Sequence, residues 1–289
     1  MLIAVLADTG WSIGLVHSGV EKYLPEHTFI FHNQGSFNYE RFINDIKRAD
    51  IIMTTLNNYI YINSICNTPE LRKKTTIVCH GISEIKMIQG HHQFKGEFST
   101  DFTYSVTSDV LVPFHPMKVY ITPNGIDHTI FTPIKHSGKI ENLGWVGASF
   151  VGFKRVDWSY KIADKTGLPL TIASRMPFEN LVKLYPTLDV LIVTSGPHES
   201  DETGPLPPFE AIASGVLVIG TSVGNFSHVP GPKFKTIEEA AQIINELKND
   251  PERVLSIIKE QYEFVMENYT YKVLSKQWNT MFDYIMENK

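Results

Sequence analysis

The segment Thr194-Ser-Gly-Pro-His-Glu-Ser-Asp-Glu-Thr-Gly-Pro-Leu-Pro-Pro-Phe-Glu-Ala-Ile-Ala-Ser-Gly-Val-Leu-Val-Ile219 decides the fold of this chain. Its pattern predicts a strand that ends at Ser195, a polar loop, and a short helix that begins near Pro208 and ends at Gly215. A second apolar run follows at once. A strand, a connecting helix and another buried strand form the repeating unit of an α/β protein with parallel sheets.

Short apolar runs alternate with amphipathic stretches along the rest of the chain, which predicts two Rossmann-like α/β domains. The predicted strands are 2–6, 28–32, 50–54, 76–79, 102–106, 118–121, 143–146, 169–173, 190–193 and 217–220. The predicted helices are 13–23, 39–47, 60–66, 156–166, 178–185, 209–214 and 237–248, with a broken helical tail from 251. Prolines and glycines between Pro123 and Gly138 mark a boundary. We expect domains over 1–135 and 136–265, and a C-terminal helix over 266–289 that packs back on the first domain.

The composition is that of a globular protein, with 43 % apolar and 20 % charged residues among 289. The net charge is −5, with 11 basic against 12 acidic residues in 1–135 and 15 against 19 in 136–289. Neither part has the basic excess of a protein that holds nucleic acid or anionic lipid mainly by charge.

No apolar stretch approaches the ~18 residues that span a bilayer, and the N-terminal run is interpreted as a buried strand and not as a signal peptide. Cys66 and Cys79 lack metal-ligand spacing and are expected to be buried thiols, which favours a cytoplasmic protein.

The chemistry of the 194–219 segment lies in its loop and in the start of its helix. A helix N-terminus behind a glycine-containing loop offers free amides and a positive dipole end to a phosphate. The flanking carboxylates Glu202 and Glu210 only accept hydrogen bonds when ionised, so they suit sugar or ribose hydroxyls. The segment therefore predicts a site for a phosphate attached to a hydroxyl-rich group.

Glu202 and Glu210, with seven residues between them, resemble the paired-glutamate signature of glycosyltransferase family 4. Residues 120–133, Tyr-Ile-Thr-Pro-Asn-Gly-Ile-Asp-His-Thr-Ile-Phe-Thr-Pro, resemble the family's linker segment; locally Asn124 and Gly125 predict a turn. The resemblance implies the GT-B fold, an acceptor-side first domain and a second domain that binds a nucleotide-sugar. It also implies a retaining, metal-independent transfer with the nucleotide-sugar as co-substrate and no cofactor.

The run 143–157, Leu-Gly-Trp-Val-Gly-Ala-Ser-Phe-Val-Gly-Phe-Lys-Arg-Val-Asp, resembles the first strand and loop of the family's nucleotide-binding domain. Gly147 ends the strand, and Lys154 matches the lysine that meets the donor diphosphate. The family usually has an arginine directly after the strand glycine, where this chain has Ala148. Either Arg155 or Arg175 is expected to replace it.

Further matches assign the remaining site residues. His80 follows a β-rich run and resembles a strand-end histidine that relatives place near the reacting sugar, and Gly10 lies in a glycine-containing first loop. The resemblance assigns catalysis to Glu202, Lys154 and His80. It assigns donor binding to Glu210, Gly147, Gly204, Pro205, Leu206, Arg155, Arg175, Gly10 and Asn124.

The chain departs from the family pattern in two places. The family's Glu-Gly-Phe-Gly loop reads Glu202-Thr-Gly204-Pro205 here and is longer, so Glu199 competes for the role given to Glu202. His228 stands where relatives often carry glutamate. Three alternatives stay open: a glycosyltransferase that acts on a modified nucleic-acid base, a catalytically weak nucleotide-sugar-binding subunit, and a GT-B epimerase or phosphorylase. The sequence leaves the donor base, the sugar, the acceptor and the oligomeric state undetermined.

Overall fold

The computed structural model describes residues 1–8, 12–90, 97–196 and 202–289, and these form two compact units. Unit 1 comprises residues 1–125 and 271–289, and unit 2 comprises residues 126–270. The functional division at 135 and 265 stays a prediction. Within the described ranges no helix is both long enough and apolar enough to cross a membrane.

Each unit is built on a parallel sheet. The described strands are β1 Leu2–Ala7, β2 Thr28–Asn33, β3 Ile51–Thr55, β4 Thr75–Cys79, β5 Thr103–Val106, β6 Val119–Ile121, β7 Leu143–Val146, β8 Leu170–Ala173, β9 Val190–Val193 and β10 Leu217–Gly220. In the described chain the order is β2-β1-β3-β4-β5-β6 in unit 1 and β10-β9-β7-β8 in unit 2. The pairings are parallel, so the carboxyl ends of neighbouring strands meet at one edge of each sheet.

Helices cover the sheets. They are α1 Ser12–Tyr23, α2 Tyr39–Arg48, α3 Tyr59–Ile65, α4 Pro69–Lys73, α5 Ile82–Gln89, α6 Val156–Thr166, α7 Phe178–Leu184, α8 Leu206–Ala213, α9 Ile237–Leu247, α10 Pro251–Asn268 and α11 Tyr271–Asn288. Every residue of β3, β4, β9 and β10 is buried, as expected for parallel strands with helices on both faces. This burial explains why these strands are recognisable as continuous apolar runs.

The predicted strands are confirmed at all ten positions, with ends that differ by no more than one residue. The helices α4 and α5 were not predicted, and α8 begins at Leu206 instead of near Pro208. Cys66 and Cys79 are buried, as predicted.

The predicted turn at Asn124 and Gly125 is wrong. Gly125 has no positive φ, and the turn lies at Asp127, whose carboxylate accepts hydrogen bonds from the backbone and the hydroxyl of Thr129 at 3.0 and 2.7 Å. Gly125 serves close packing instead, because a Cβ there would lie 2.9 Å from the ring of Tyr271.

The C-terminal helix α11 belongs to unit 1. Its buried face includes Trp278, Met281 and Phe282. A Cβ at Gly19 of α1 would lie 2.2 Å from the Tyr271 ring, so α1 and α11 approach closely because residue 19 is glycine.

Candidate active site in the second unit

The loops after β7 and β9 are joined by hydrogen bonds at the carboxyl edge of the unit 2 sheet. The indole of Trp145 donates to the Thr194 hydroxyl at 2.9 Å, and that hydroxyl donates to the Lys154 carbonyl at 2.8 Å. The Gly196 amide donates to the Phe153 carbonyl at 2.6 Å. These bonds fix the backbone that carries Lys154 against the end of β9.

Lys154 and Glu202 form a partly buried ion pair. Their side chains are 20 % and 8 % exposed, and the Ser195 hydroxyl donates to the same Glu202 oxygen at 2.8 Å. Both residues line one narrow cleft together with Trp145, Ser195, Pro205 and Pro208. The structure therefore places two of the predicted catalytic residues side by side.

Glu210 lies inside unit 2, on the same helix as the cleft residue Pro208. It is 6 % exposed, and its carboxylate accepts a 2.5 Å hydrogen bond from the phenol of Tyr185. Burial raises the pKa of Glu210 to about 7, and the Tyr185 hydrogen bond opposes that shift. Burial also raises the pKa of Tyr185 well above its ordinary value, with a further contribution from Glu210.

The start of α8 offers fewer amides than an ordinary helix. Pro205 is the N-cap, and Leu206, Pro207 and Pro208 are the first three helical residues. Proline has no N–H, so Leu206 alone supplies a donor among the four positions that usually present free amides. The expectation of several free amides at this helix end is wrong.

The loop between Glu202 and α8 rests on the turn after β10. Gly224 has a φ of +43°, and a Cβ there would lie 2.1 Å from the carbonyl oxygen of Thr203. The Asn225 amide donates to that carbonyl at 2.8 Å. Gly204 follows directly, half-buried. The conformation of the glutamate loop thus requires glycine at position 224.

Arg155 and Arg175 are the non-glycine residues with positive φ in the described chain, at 45° and 55°. A left-handed conformation is uncommon for such residues and often marks functional loops. The Arg155 guanidinium donates to the Thr194 carbonyl at 2.7 Å and to the Ser195 carbonyl. The Arg175 guanidinium lies 4.5 Å from the ring centroid of Phe150, on the loop that contains Ala148.

Gly147 joins the loops after β7 and β8. Its amide donates to the Ala173 carbonyl at 3.0 Å, and a Cβ would lie 3.1 Å from the ring of Trp145. The hydroxyls of Ser149 and Ser174 are 2.9 Å apart in the same place. Gly147 therefore lies beside the loop that carries Arg175.

In unit 1, His80 directly follows β4, as predicted. Its amide donates to Glu84 at 2.7 Å, and burial lowers the pKa of its ring to about 4, so the imidazole is neutral at physiological pH. The ring of the buried His17 lies 6.3 Å from it. Asn124 is also buried in unit 1, whereas Gly10 and Glu199 lie outside the described residues.

Sequence reasoning missed Tyr185, Ser195 and His17 as parts of these sites. Ser195 stood at the predicted strand end and was recognisable as a site residue. Tyr185 and His17 lie inside predicted helices, and nothing in their local pattern pairs them with Glu210 or His80. No group of three or more potential metal ligands of the His, Cys, Asp or Glu type occurs in the described part of the chain.

No protein-family model and no curated protein matches the sequence. Solved structures do match in fold. An α-glucosyltransferase in complex with UDP and a 13-mer DNA containing an HMU base has a TM-score of 0.73 at 12 % identity over 98 % of this chain and 99 % of that one.

Two further solved structures span the chain equally well. Anabaena Alr3699/HepE in complex with UDP-glucose has a TM-score of 0.74 at 12 % identity, covering 98 % of this chain and 100 % of its own. AviGT4, a glycosyltransferase involved in avilamycin A biosynthesis, has a TM-score of 0.65 at 10 % identity, covering 100 % and 99 %. The predicted GT-B fold class is confirmed.

Proposed function

We propose that the protein is a retaining, metal-independent glycosyltransferase of the family 4 type. It moves a hexosyl or pentosyl group from a nucleoside-diphosphate sugar to an acceptor hydroxyl. The observation that carries this proposal is the Lys154–Glu202 pair beside the start of α8. In this proposal unit 2 binds the donor and unit 1 supplies the acceptor side.

When the donor binds, its diphosphate replaces Glu202 as the partner of Lys154. Without donor, Glu202 neutralises the ammonium. A bound diphosphate presents a stronger negative charge to Lys154, and Glu202 then becomes an acceptor for a sugar hydroxyl. The pair thus holds both groups in place before the substrate arrives.

The leaving diphosphate depends mainly on side-chain cations, because Leu206 is the single N–H donor among the first α8 positions. Lys154 stabilises the charge that grows on the diphosphate, an effect worth roughly 3 kcal/mol for one preorganised donor. Arg175 replaces the arginine absent at Ala148, since its guanidinium already lies over Phe150 of that loop. Gly147 and the Gly204–Pro205–Leu206 turn shape the donor site, and Gly10 and Asn124 keep the donor-binding roles that the resemblance implies.

The reaction is a same-face substitution. The bond between the anomeric carbon and the diphosphate oxygen breaks, a bond to the acceptor oxygen forms, and the acceptor proton passes to the diphosphate. Glu202 accepts hydrogen bonds from the transferred sugar, Glu210 holds the ribose hydroxyls, and the neutral ring of His80 hydrogen-bonds a sugar hydroxyl.

Thermal-shift measurements with UDP, GDP, ADP and their sugars test the donor site, because a ligand that binds only the native state raises the unfolding temperature. We expect one nucleotide series to stabilise the protein. Glu210→Ala should remove most of the shift with free nucleotide, whereas Glu202→Ala should keep that shift and abolish transfer. Glu260→Ala, an exposed carboxylate on α10, is the matched control. Equal and negligible effects of the two site variants would reject the assignment.

A second candidate differs in the acceptor. The similar α-glucosyltransferase was solved with DNA that contains an HMU base, which favours a modified nucleic-acid base as acceptor. Transfer of labelled sugar to DNA with a hydroxymethylated base, but not to unmodified DNA, is the expected result. Donor binding without transfer or hydrolysis across all acceptors would instead identify a catalytically weak binding subunit.

A further inference from the structure

A second cleft of about 560 Å³ opens in unit 2. Its lining residues are Arg155, Gly196, Thr221, Ser222, Lys233, Phe234, Lys235 and Glu239. None of them lines the cleft of Lys154 and Glu202. The volume falls within the range of small-molecule sites, ~300–1,000 Å³.

Lys233 brings a half-buried positive charge to this cleft. Its ammonium donates to the Val229 carbonyl at 2.7 Å and lies 4.3 Å from the ring centroid of Phe226. Burial lowers its pKa to about 8, because desolvation disfavours the charged form. An ammonium has three donors, and one carbonyl uses only one of them.

Arg155 brings a second half-buried charge. Its guanidinium contacts the carbonyls of Thr194 and Ser195 and lies 3.9 Å from the ring centroid of Trp158. Burial lowers its pKa, and the nearby Asp157, which acts in the opposite direction, is itself paired with Lys161. Carbonyl oxygens orient a guanidinium without neutralising it.

Neither Arg155 nor Lys233 forms an ion pair with any residue that the structure describes. Burying an unpaired charge is costly, so such cations usually meet an anion. Lys154 differs in this respect, because Glu202 already neutralises it.

The rest of the lining favours an oxyanion. Lys235 and Ser222 are exposed at the cleft, and the Thr221 hydroxyl donates to the Ser195 carbonyl at 2.8 Å. The acid of the lining, Glu239, accepts the Lys235 amide at 2.6 Å, next to the α9 cap. Among the lining residues that the structure describes, three cations against one carboxylate leave a net charge of +2. A phosphate, with three strong acceptor oxygens, fits several donors at once.

We propose that this cleft binds a phosphate group, separately from the donor diphosphate. The group comes either from a free phosphate or mononucleotide, or from the backbone of a nucleic-acid acceptor. Phosphate binding itself is independent of the proposed function, whereas its use in acceptor recognition rests on that function.

Phosphorus NMR titration of the full-length protein tests the proposal with inorganic phosphate and with a short DNA duplex, at constant ionic strength in chloride. Lys233→Met keeps the length of the side chain and removes its charge. We expect it to weaken phosphate binding at least about tenfold, the loss typical of one charge-assisted contact. Lys183→Met removes an exposed charge elsewhere in unit 2 and should leave binding unchanged. If Lys233→Met does not fold, Lys235→Met takes its place with a smaller expected loss.

The outcomes distinguish the two sources of the phosphate group. They also distinguish the phosphate-site proposal from the proposed glycosyltransferase function. DNA binding that depends on Lys233 identifies the backbone as the source, and binding of inorganic phosphate alone identifies the small ligand. Equal affinity of wild type and the Lys233 variant for phosphate would overturn the proposal. Failure of UDP, GDP, ADP and their sugars to bind while phosphate still binds would count against the glycosyltransferase proposal and leave the phosphate proposal intact.

Discussion

The phenol of Tyr185 donates a 2.5 Å hydrogen bond to the carboxylate of Glu210 inside unit 2. Tyr185 has no exposed surface and Glu210 is 6 % exposed. Burial raises the pKa of Glu210 to about 7, so this proposed ribose-binding acid is close to half-ionised at neutral pH. The charge of Glu210 depends on the hydrogen bond from Tyr185, because that bond favours the ionised carboxylate. The capacity of Glu210 to accept hydrogen bonds from ribose hydroxyls therefore depends on the same bond.

Tyr185→Phe is therefore expected to destabilise the protein and to raise the pKa of Glu210 further. Loss of one donor to a buried acceptor costs about 1–3 kcal/mol in the free energy of unfolding. The loss should be larger at pH 8 than at pH 5, because the hydrogen bond favours the ionised carboxylate. Urea unfolding at both pH values measures it. Tyr262→Phe, a half-buried tyrosine of the same core, is the control and should change little.

Glu210→Gln is expected to change how stability depends on pH. The native pKa, about 7, lies above the ordinary value of 4.5, so the native state holds more protons than the unfolded state between these values. The free energy of unfolding of the wild type therefore falls as pH rises through this window, by on the order of 1–3 kcal/mol from this group. The glutamine variant lacks this fall and should gain stability relative to wild type from pH 5 to pH 8. Parallel curves for the two proteins across that window would contradict the assignment.

Lys154 and Glu202 are expected to be coupled energetically. Removing either partner leaves a largely buried charge, and a double-mutant cycle with Lys154→Met and Glu202→Gln should give a coupling energy of about 1–3 kcal/mol. The exposed pair Lys161–Asp157, with side chains 59 % and 60 % exposed, is the matched control. Its coupling should not exceed ~0.5 kcal/mol. Chemical denaturation of the four proteins of each cycle measures both values, and similar coupling in the two cycles would show that the site pair is not preorganised.

Gly224→Ala is expected to displace the backbone of Glu202 and Thr203. The new Cβ would lie 2.1 Å from the Thr203 carbonyl oxygen at a φ of +43°. We expect a loss of more than about 3 kcal/mol, together with loss of transfer activity. Gly167→Ala is the control that measures the stability lost through a positive φ alone. Residue 167 has a φ of +65°, and no atom lies within 4 Å of the position that a Cβ would take. That control should lose only ~1 kcal/mol, and equal losses at both positions would show that the contact with Thr203 is unimportant.

The sequence predicted the strands far better than the short helices. A parallel strand buried on both faces is a continuous apolar run between turn residues, and β3, β4, β9 and β10 have this local signal. The helix α5 had a signal as well, since Ile82, Ile85 and Ile88 recur at intervals of three and are buried. The five residues of α4 are too few to show a period, although Thr68 caps them and Pro69 begins them.

The sequence by itself determined the fold class and the position of both glutamates. Glu202 and Glu210 lie on either side of the α8 N-terminus because their spacing is a property of the chain. The prolines at the start of α8 were also visible, and they alone remove amides from that helix end.

Only the tertiary structure decided the charge state of the site. Glu202 is neutralised by a lysine 48 positions away, and Glu210 is bonded to a tyrosine 25 positions away. Ion pairing and desolvation depend on distance and burial in space, which spacing along the chain does not specify. For that reason two glutamates of one signature occur in different environments, one in an ion pair and one with its pKa raised by burial.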